Sequence, residues 1–305
     1  MNLRRWGLLA VAGAGVLLCP PAWASKPGET KGAAVPRDHA IPSCYEQWRD
    51  LSQVPRALNG DLTVVIDQTT FLDARMRQIV SETVERLLRP GIQVSIVSFS
   101  AFLPGRYLDV LVSGRIEAPV SGKQRDYVPK RQLLQSDQCL EEQMAFARRL
   151  IGSSLDASFA AADVTLARSD ILAALHDIGR RIGDASADNR MVLIVSDMME
   201  NSSITSFYRA GQLRVVDAEA ELKLVARSGI RTDFRGARVF VIGAGLGLSR
   251  PVAAGQGIAY RDPRAMLALE DFWRRWFAAS NGELVEFGKP TPLVQIKWPA
   301  GGQAR

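Results

Sequence analysis

The chain of 305 residues is long enough for one large domain or two small ones. Its formal charge of +6 falls to +4 without Arg4 and Arg5, and the basic residues are spread out apart from Lys123, Arg125, Lys130 and Arg131. So mild a balance argues for a solvated face and against a nucleic-acid partner.

The first 24 residues read as a signal peptide. Arg4 and Arg5 give a positive start, residues 7–18 are apolar but too short to span a bilayer, and Ala22-Trp23-Ala24 is a small-x-small cleavage signal. The expected cut falls before Ser25, and an uncleaved anchor is the alternative reading of the same pattern. Cys19 follows Leu18, where a lipoprotein signal carries a small residue. Later residues contain no long apolar run, so no stable membrane insertion is expected after cleavage. The resulting location is periplasmic or secreted.

Export changes the meaning of the cysteines. Cys44 and Cys139 remain as an even pair in an oxidising compartment, which favours a disulfide over two separate thiols. Neither belongs to a CxxC pair, which argues against a structural zinc site. Residues 25–61, first rich in Pro, Gly, Lys and Ala, read as a flexible N-terminal arm that docks near Cys44, Tyr45 and Trp48.

The ordered domain is expected over 62–288, with an insertion near 113–168 and a C-terminal tail over 289–305. Leu62-Thr63-Val64-Val65-Ile66-Asp67 is an apolar strand ending in an acid. Apolar positions at helical spacing over 73–89 stop at Pro90-Gly91. Strands follow over 92–99 and, more alternating and nearer an edge, 107–112. Residues 113–129 are polar and turn-rich. Helices are expected over 138–150 and 169–181, the second capped by Ser169. The strand 191–195 runs into Ser196-Asp197. A helix over 218–227, a strand over 237–242, an aromatic-rich helix over 263–279 and a strand over 283–287 complete the pattern. Such alternation predicts an α/β fold: a doubly wound, mainly parallel central sheet with helices on both faces. Of Phe272, Trp273, Trp276 and Phe277, helical spacing places most in the core with one ring exposed. The stretch 290–298 reads either as an edge strand or as a docking segment.

Two strands that each deliver an aspartate to the carboxyl edge of one sheet create a place for a hard cation or a partner. With Ser169-Asp170-Ile171-Leu172 between them, these segments resemble a von Willebrand factor A domain over about 62–287. The resemblance implies a divalent-ion site in which Asp67 matches the first acid, Thr69 the first hydroxyl, Ser169 the threonine of the second loop and Asp197 the last acid. Phe71 stands where the family has a second hydroxyl, and Met198 where it often has glycine. Mg2+ or Mn2+ is the ion such oxygen ligands suit. Taken singly, these residues also read as caps and turn starters: Asp67, Thr69 or Thr70 for the helix after the first strand, Ser169 for its own helix, Asp197 for a turn.

The resemblance implies a non-enzymatic protein-binding module, with a partner in the cell envelope and a role as an accessory of a secretion- or conjugation-type assembly. The alternative is a Mg-dependent phosphatase of haloacid-dehalogenase type with Asp67 as nucleophile and Asp197 and Glu200 in place of its metal-binding acids. Thr69 stands where that chemistry needs a second acid. Gly243-Ala244-Gly245-Leu246-Gly247 after a strand suggests a dinucleotide loop, but Leu248 replaces the third glycine and Pro251 breaks the pattern, leaving a glycine-rich turn. His39 and His176 are the only histidines, and no GxSxG elbow occurs, so Ser- or Cys-based catalysis has little support.

Overall fold

The computed structural model describes residues 40–48, 51, 58–100, 108–120, 122–162, 169–182, 187, 189–209, 212–246 and 262–299, all within the unit Pro36–Arg305. The signal peptide with its cleavage site, His39 and residues 247–251 of the glycine-rich stretch lie outside the described residues.

In chain order the elements are β1 (Gly60–Asp67), α1 (Ala74–Leu87), β2 (Ile92–Phe99), β3 (Leu108–Ile116), a 3-10 turn (Gly122–Tyr127), α2 (Lys130–Ala160), α3 (Ile171–Ile182), β4 (Arg190–Val195), the short β5 (Tyr208–Arg209) and β6 (Gln212–Leu213), α4 (Ala218–Arg227), β7 (Ala237–Ile242), α5 (Pro263–Ala279) and β8 (Gly282–Phe287). Six strands form one sheet in the order β3-β2-β1-β4-β7-β8, and β5 and β6 make a separate hairpin. Every pair in the large sheet is parallel except β2 with β3. This is the α/β, doubly wound, mainly parallel arrangement expected from the alternation of elements.

Because β1 and β4 sit in the middle of the sheet, side chains on both of their faces must be apolar. Val192 and Ile194 of β4 and Val239 and Val241 of β7 join a core built with α3, α4 and α5. Met191, Leu193, Val195, Phe240 and Ile242 join the opposite core, with α1 and α2. In α5, Phe272, Trp273, Trp276 and Phe277 are all buried, and they meet one another and Phe207 or Phe234 largely edge to face, the arrangement ring quadrupoles favour. The expected exposed ring is therefore absent: loop residues Phe207 and Phe234 cover the side of the helix that its own periodicity leaves open.

Two elements run longer than their sequence suggests. β3 continues through Ser113–Ile116 because the arm packs against its far end. The Ala40 N–H donates to the Ser113 carbonyl at 3.0 Å, and a Cβ on Gly114 would come within 2.9 Å of Ile41. Helix α2 reaches 31 residues instead of the expected 13-residue core, since Leu133 and Ser136 at one end and Leu155, Ser158 and Phe159 at the other also find cover.

Cys44 and Cys139 are disulfide-bonded. Beside the bond lies a buried carboxylate, Glu117. It accepts from the Ser43 hydroxyl at 2.8 Å, the Cys44 N–H at 2.7 Å and Gln143 Nε2 at 3.3 Å. Tyr45 donates its hydroxyl to the Ala118 carbonyl at 2.8 Å. Tyr45 and Leu51 form a small separate core with Val120 and Leu133.

The tail forms no strand over its described part, 289–299. Ile296 is buried with the side chains of the α1–α2 face, Trp298 Nε1 donates to the Leu87 carbonyl at 2.9 Å, and the Arg89 guanidinium lies 4.5 Å from the Trp298 ring centroid. Among the described residues no helix is long and apolar enough to cross a membrane.

Candidate functional site

The sheet order reverses between β1 and β4: from β1 the chain winds outward to β2, whereas β4 leads to β7 and β8 on the other side. Loops leaving two such strands diverge and open a crevice at the carboxyl edge, the usual ligand position in open α/β sheets. Asp67 ends β1 on one side of this reversal, and Ser196 and Asp197 follow β4 on the other.

Asp67 is 2% exposed, and its carboxylate is enclosed by hydroxyls. Oδ1 accepts from the Thr69 N–H at 2.9 Å and the Thr69 hydroxyl at 2.6 Å. Oδ2 accepts from Ser196 at 2.7 Å, Thr70 at 3.2 Å and Ser169 at 3.4 Å. Burial pushes the Asp67 carboxyl above its usual range, against the downward pull of Thr69, Ser196 and Thr70. Thr70 also accepts from the Asp197 N–H at 3.0 Å, and Ser196 from the Met198 N–H at 2.9 Å. The loops after β1 and β4 are thus tied together through side chains.

Asp197 is buried, and its Oδ1 accepts from the Met199 N–H at 2.9 Å, so it does start a turn. That turn places Met198 at φ 60°, a left-handed conformation costly for a branched or long side chain. The Met198 carbonyl accepts from Trp273 Nε1 at 2.8 Å, which holds the turn from the α5 side. Gly243 lies against the same turn with φ 98°, and a Cβ there would lie 3.3 Å from the Ser196 carbonyl oxygen. The glycine-rich turn spends its N–H groups internally: Gly243 on Pro290, Ala244 on Gly288, Gly245 on Asp197 and Leu246 on Gly243. No cradle of free amides is left over 243–246 for a pyrophosphate.

Asp67, Thr69, Ser169 and Asp197 therefore gather at one edge. Ser169 does not cap α3, because its hydroxyl turns to Asp67. Asp170 takes that role, accepting from the Ala173 N–H at 3.1 Å, and Glu200 reaches the same helix end by accepting from the Leu172 N–H at 3.0 Å. Glu200 is wholly buried, with Oε1 lacking a hydrogen-bond partner among the described residues. Burial, with the Asp170 charge adding to it, raises its carboxyl to about 8. Neither Asp67 nor Thr69 caps α1; Asp73 does, accepting from the Met76 N–H at 2.8 Å.

Ser196 was not singled out from the sequence, Thr70 was read there only as a cap, and Glu200 only as an acid of the phosphatase alternative. Ser196 carried one usable signal, a hydroxyl directly before the acid at a buried strand end. Phe71 stands at the rim, 54% exposed, with the Arg77 guanidinium 5.6 Å from its ring centroid. His176 is half-buried, its Nδ1 3.4 Å from the Thr232 hydroxyl.

The oxygen set can be weighed against a divalent ion. Among the described residues no three His, Cys, Asp or Glu side chains gather as metal ligands. An ion here would rest on two carboxylates and on hydroxyls that must first release Asp67. Such a set suits Mg2+ or Mn2+ in kind but predicts weak binding.

No protein-family profile and no curated protein matches this chain. Among solved structures, that of an aerotolerance-related membrane protein from Bacteroides fragilis, carrying multiple mutations to serines, aligns with 76% of this chain and 93% of that chain. The identity is 12% and the TM-score 0.35. So remote a likeness leaves the fold to be read from the strand order itself.

Proposed function

We propose that this chain is an exported, von Willebrand factor A-like protein-binding module of the cell envelope, that it is not an enzyme, and that it serves as an accessory of a secretion- or conjugation-type assembly. The observation that carries the reading is the convergence of Asp67, Thr69, Thr70, Ser169, Ser196 and Asp197 at the switch point of a doubly wound sheet. Three loops locked together present a preformed surface, which lowers the ordering cost of binding another protein. Asp67, Thr69, Ser169 and Asp197 are the residues that would hold a weakly bound Mg2+ or Mn2+; such an ion offers a coordination position to a partner's carboxylate.

A phosphatase with Asp67 as nucleophile is the weaker reading. A nucleophilic carboxylate needs an open oxygen, and both oxygens of Asp67 already accept hydrogen bonds in a buried setting. The test is capture of envelope proteins by the mature chain, compared with Asp67→Ala and Asp197→Ala, alongside turnover of a generic phosphoester. The reading expects capture that both substitutions weaken, and no turnover. Turnover that stops in Asp67→Asn overturns it. For the ion, thermal unfolding with and without millimolar Mg2+ or Mn2+ decides: a ligand at a hundred times its Kd adds about 2.7 kcal/mol.

A further inference from the structure

Helix α2 outruns the sheet it covers. Its second half, with Ala147, Ile151, Leu155 and Phe159, packs on the strands. Gln143 stands level with the amino edge of the sheet, where its Oε1 accepts from the Glu117 N–H at 2.8 Å, one residue beyond the end of β3. Before Gln143 the helix leaves the sheet. Leu133 and Leu140 pack instead with Tyr45, Leu51, Val120 and Val128, in the small core beside the disulfide. This lobe projects from the end of the sheet opposite Asp67.

Its tip carries the basic cluster singled out in the sequence. Lys123 lies on the 3-10 turn, Lys130 and Arg131 open α2, and all three are exposed. Among the described residues only Arg125 of this cluster has an acidic partner, Asp137, and that pair holds the 3-10 turn against α2. The first turn of α2 contains no acid, and Pro129 supplies no side-chain cap. Its two cations therefore add to the positive end of the helix, where local preference would place acids. The same tip displays two of the three most exposed large apolar side chains among the described residues, Tyr127 at 87% and Leu134 at 71%. Leu134 follows Lys130 by four residues and Arg131 by three, so all three share one helix face. Tyr127 precedes Lys130 by three residues, which keeps their Cα atoms within about 11 Å.

We propose that this lobe docks peripherally on a bilayer surface rich in anionic lipid, with Lys123, Lys130 and Arg131 over the phosphates and Tyr127 and Leu134 entering the headgroup layer. The inference rests on the envelope location in the proposed function and makes no use of the Asp67 edge. Charge complementarity argues the occupant, since each basic residue near an anionic surface adds about fivefold in affinity. Lysine and arginine lay their stems along apolar surface while their heads reach phosphate, and tyrosine settles at headgroup level. A basic face with apolar side chains beside it is the composition that holds a helix at such an interface. An acidic protein would need a shape-matched seat, whereas Tyr127 and Leu134 each stand out into solvent. Docked by this lobe, the chain turns its Asp67 edge away from the membrane, where a partner can reach it.

The test is flotation of the mature chain from Ser25 with vesicles of phosphatidylglycerol and phosphatidylcholine in equal parts, beside vesicles of phosphatidylcholine alone. We expect binding to the anionic vesicles that added salt weakens, and none to the neutral ones. The triple variant Lys123→Gln, Lys130→Gln, Arg131→Gln should lose tenfold or more in affinity, and Tyr127→Ser with Leu134→Ser several-fold. All five side chains are exposed, so thermal unfolding should show both variants as stable as the parent. No binding to anionic vesicles overturns the proposal, as does equal binding to neutral ones. Binding that survives the triple variant also overturns it, by assigning the contact to another basic segment. If Tyr127→Ser with Leu134→Ser binds as tightly as the parent, charge alone holds the chain, and the membrane reading falls in favour of an acidic protein. Capture at the Asp67 edge can succeed or fail independently of vesicle binding, so the two readings are judged apart.

Discussion

Asp67 and Glu117 are both carboxylates with little access to water, and each is satisfied by neighbouring donors. Their donors differ in origin. Asp67 draws on short hydroxyl side chains from loops after β1, before α3 and after β4, at the edge where the sheet order reverses. Glu117 draws on the arm and on α2, beside a covalent cross-link. A buried acid is therefore no sign of function by itself. One cage closes onto a disulfide and staples a segment, whereas the other sits at the carboxyl edge of the sheet, next in the chain to the exposed ring of Phe71.

The contrast can be broken at either end. The largest effect should come from Cys44→Ser with Cys139→Ser. The bond spans 95 residues of chain, and its loss is expected to cost about 4 kcal/mol in urea unfolding, with capture at the Asp67 edge unchanged. Next, Asp67→Ala leaves four hydroxyls and one N–H without their acceptor and should cost about 3 kcal/mol. Here capture must fall as well; a variant that loses stability but keeps its partner would make the two cages equivalent. Glu117→Ala should cost about 2 kcal/mol and speed hydrogen exchange at Cys44, leaving Asp197 and Met198 protected.

The smallest effect, read per pH unit, is a pH dependence. The Glu200 carboxyl, pushed up to about 8 from 4.5, keeps in the folded chain a proton that the unfolded chain has released across that interval. Its contribution is complete below 4.5 and lost as pH rises through 8, so stability should fall with rising pH by at most about 1.4 kcal/mol per unit. Asp61, raised to about 6 by burial against the opposing pull of Arg190, adds a fall of the same sign at lower pH. Glu200→Gln should flatten the urea midpoint between pH 6 and 8; an unchanged slope would assign the dependence to other groups.

Much of this was legible in the sequence because burial writes itself as apolar runs. β4 and β7 each announce themselves by four or more consecutive apolar residues, β1 by Val64-Val65-Ile66 after Leu62, and 218–227 and 263–279 by helical spacing between an aspartate cap and a polar stop. α2 was legible only at its middle. Its start, Lys130-Arg131-Gln132, consists of good helix formers without an apolar stripe, and Gly152-Ser153-Ser154 are weak helix formers whose helical state depends on tertiary cover. The site divides the same way. Asp67 and Asp197 were visible as acids ending buried strands. Thr70 and Ser196 matter only because two strands distant in sequence lie side by side, and Ser169 serves Asp67 because Asp170 and Glu200 relieve it of capping.

The tail has a practical consequence for anyone shortening the protein. A chain ended after Phe287 would keep every helix and strand of the sheet, and by secondary structure alone would look intact. It would also lose the Pro290 carbonyl that receives the Gly243 N–H, and Ile296 from the core it shares with α1 and α2. The last stretch of chain covers apolar side chains that the helices leave open, and removing it converts a closed flank into an adhesive one.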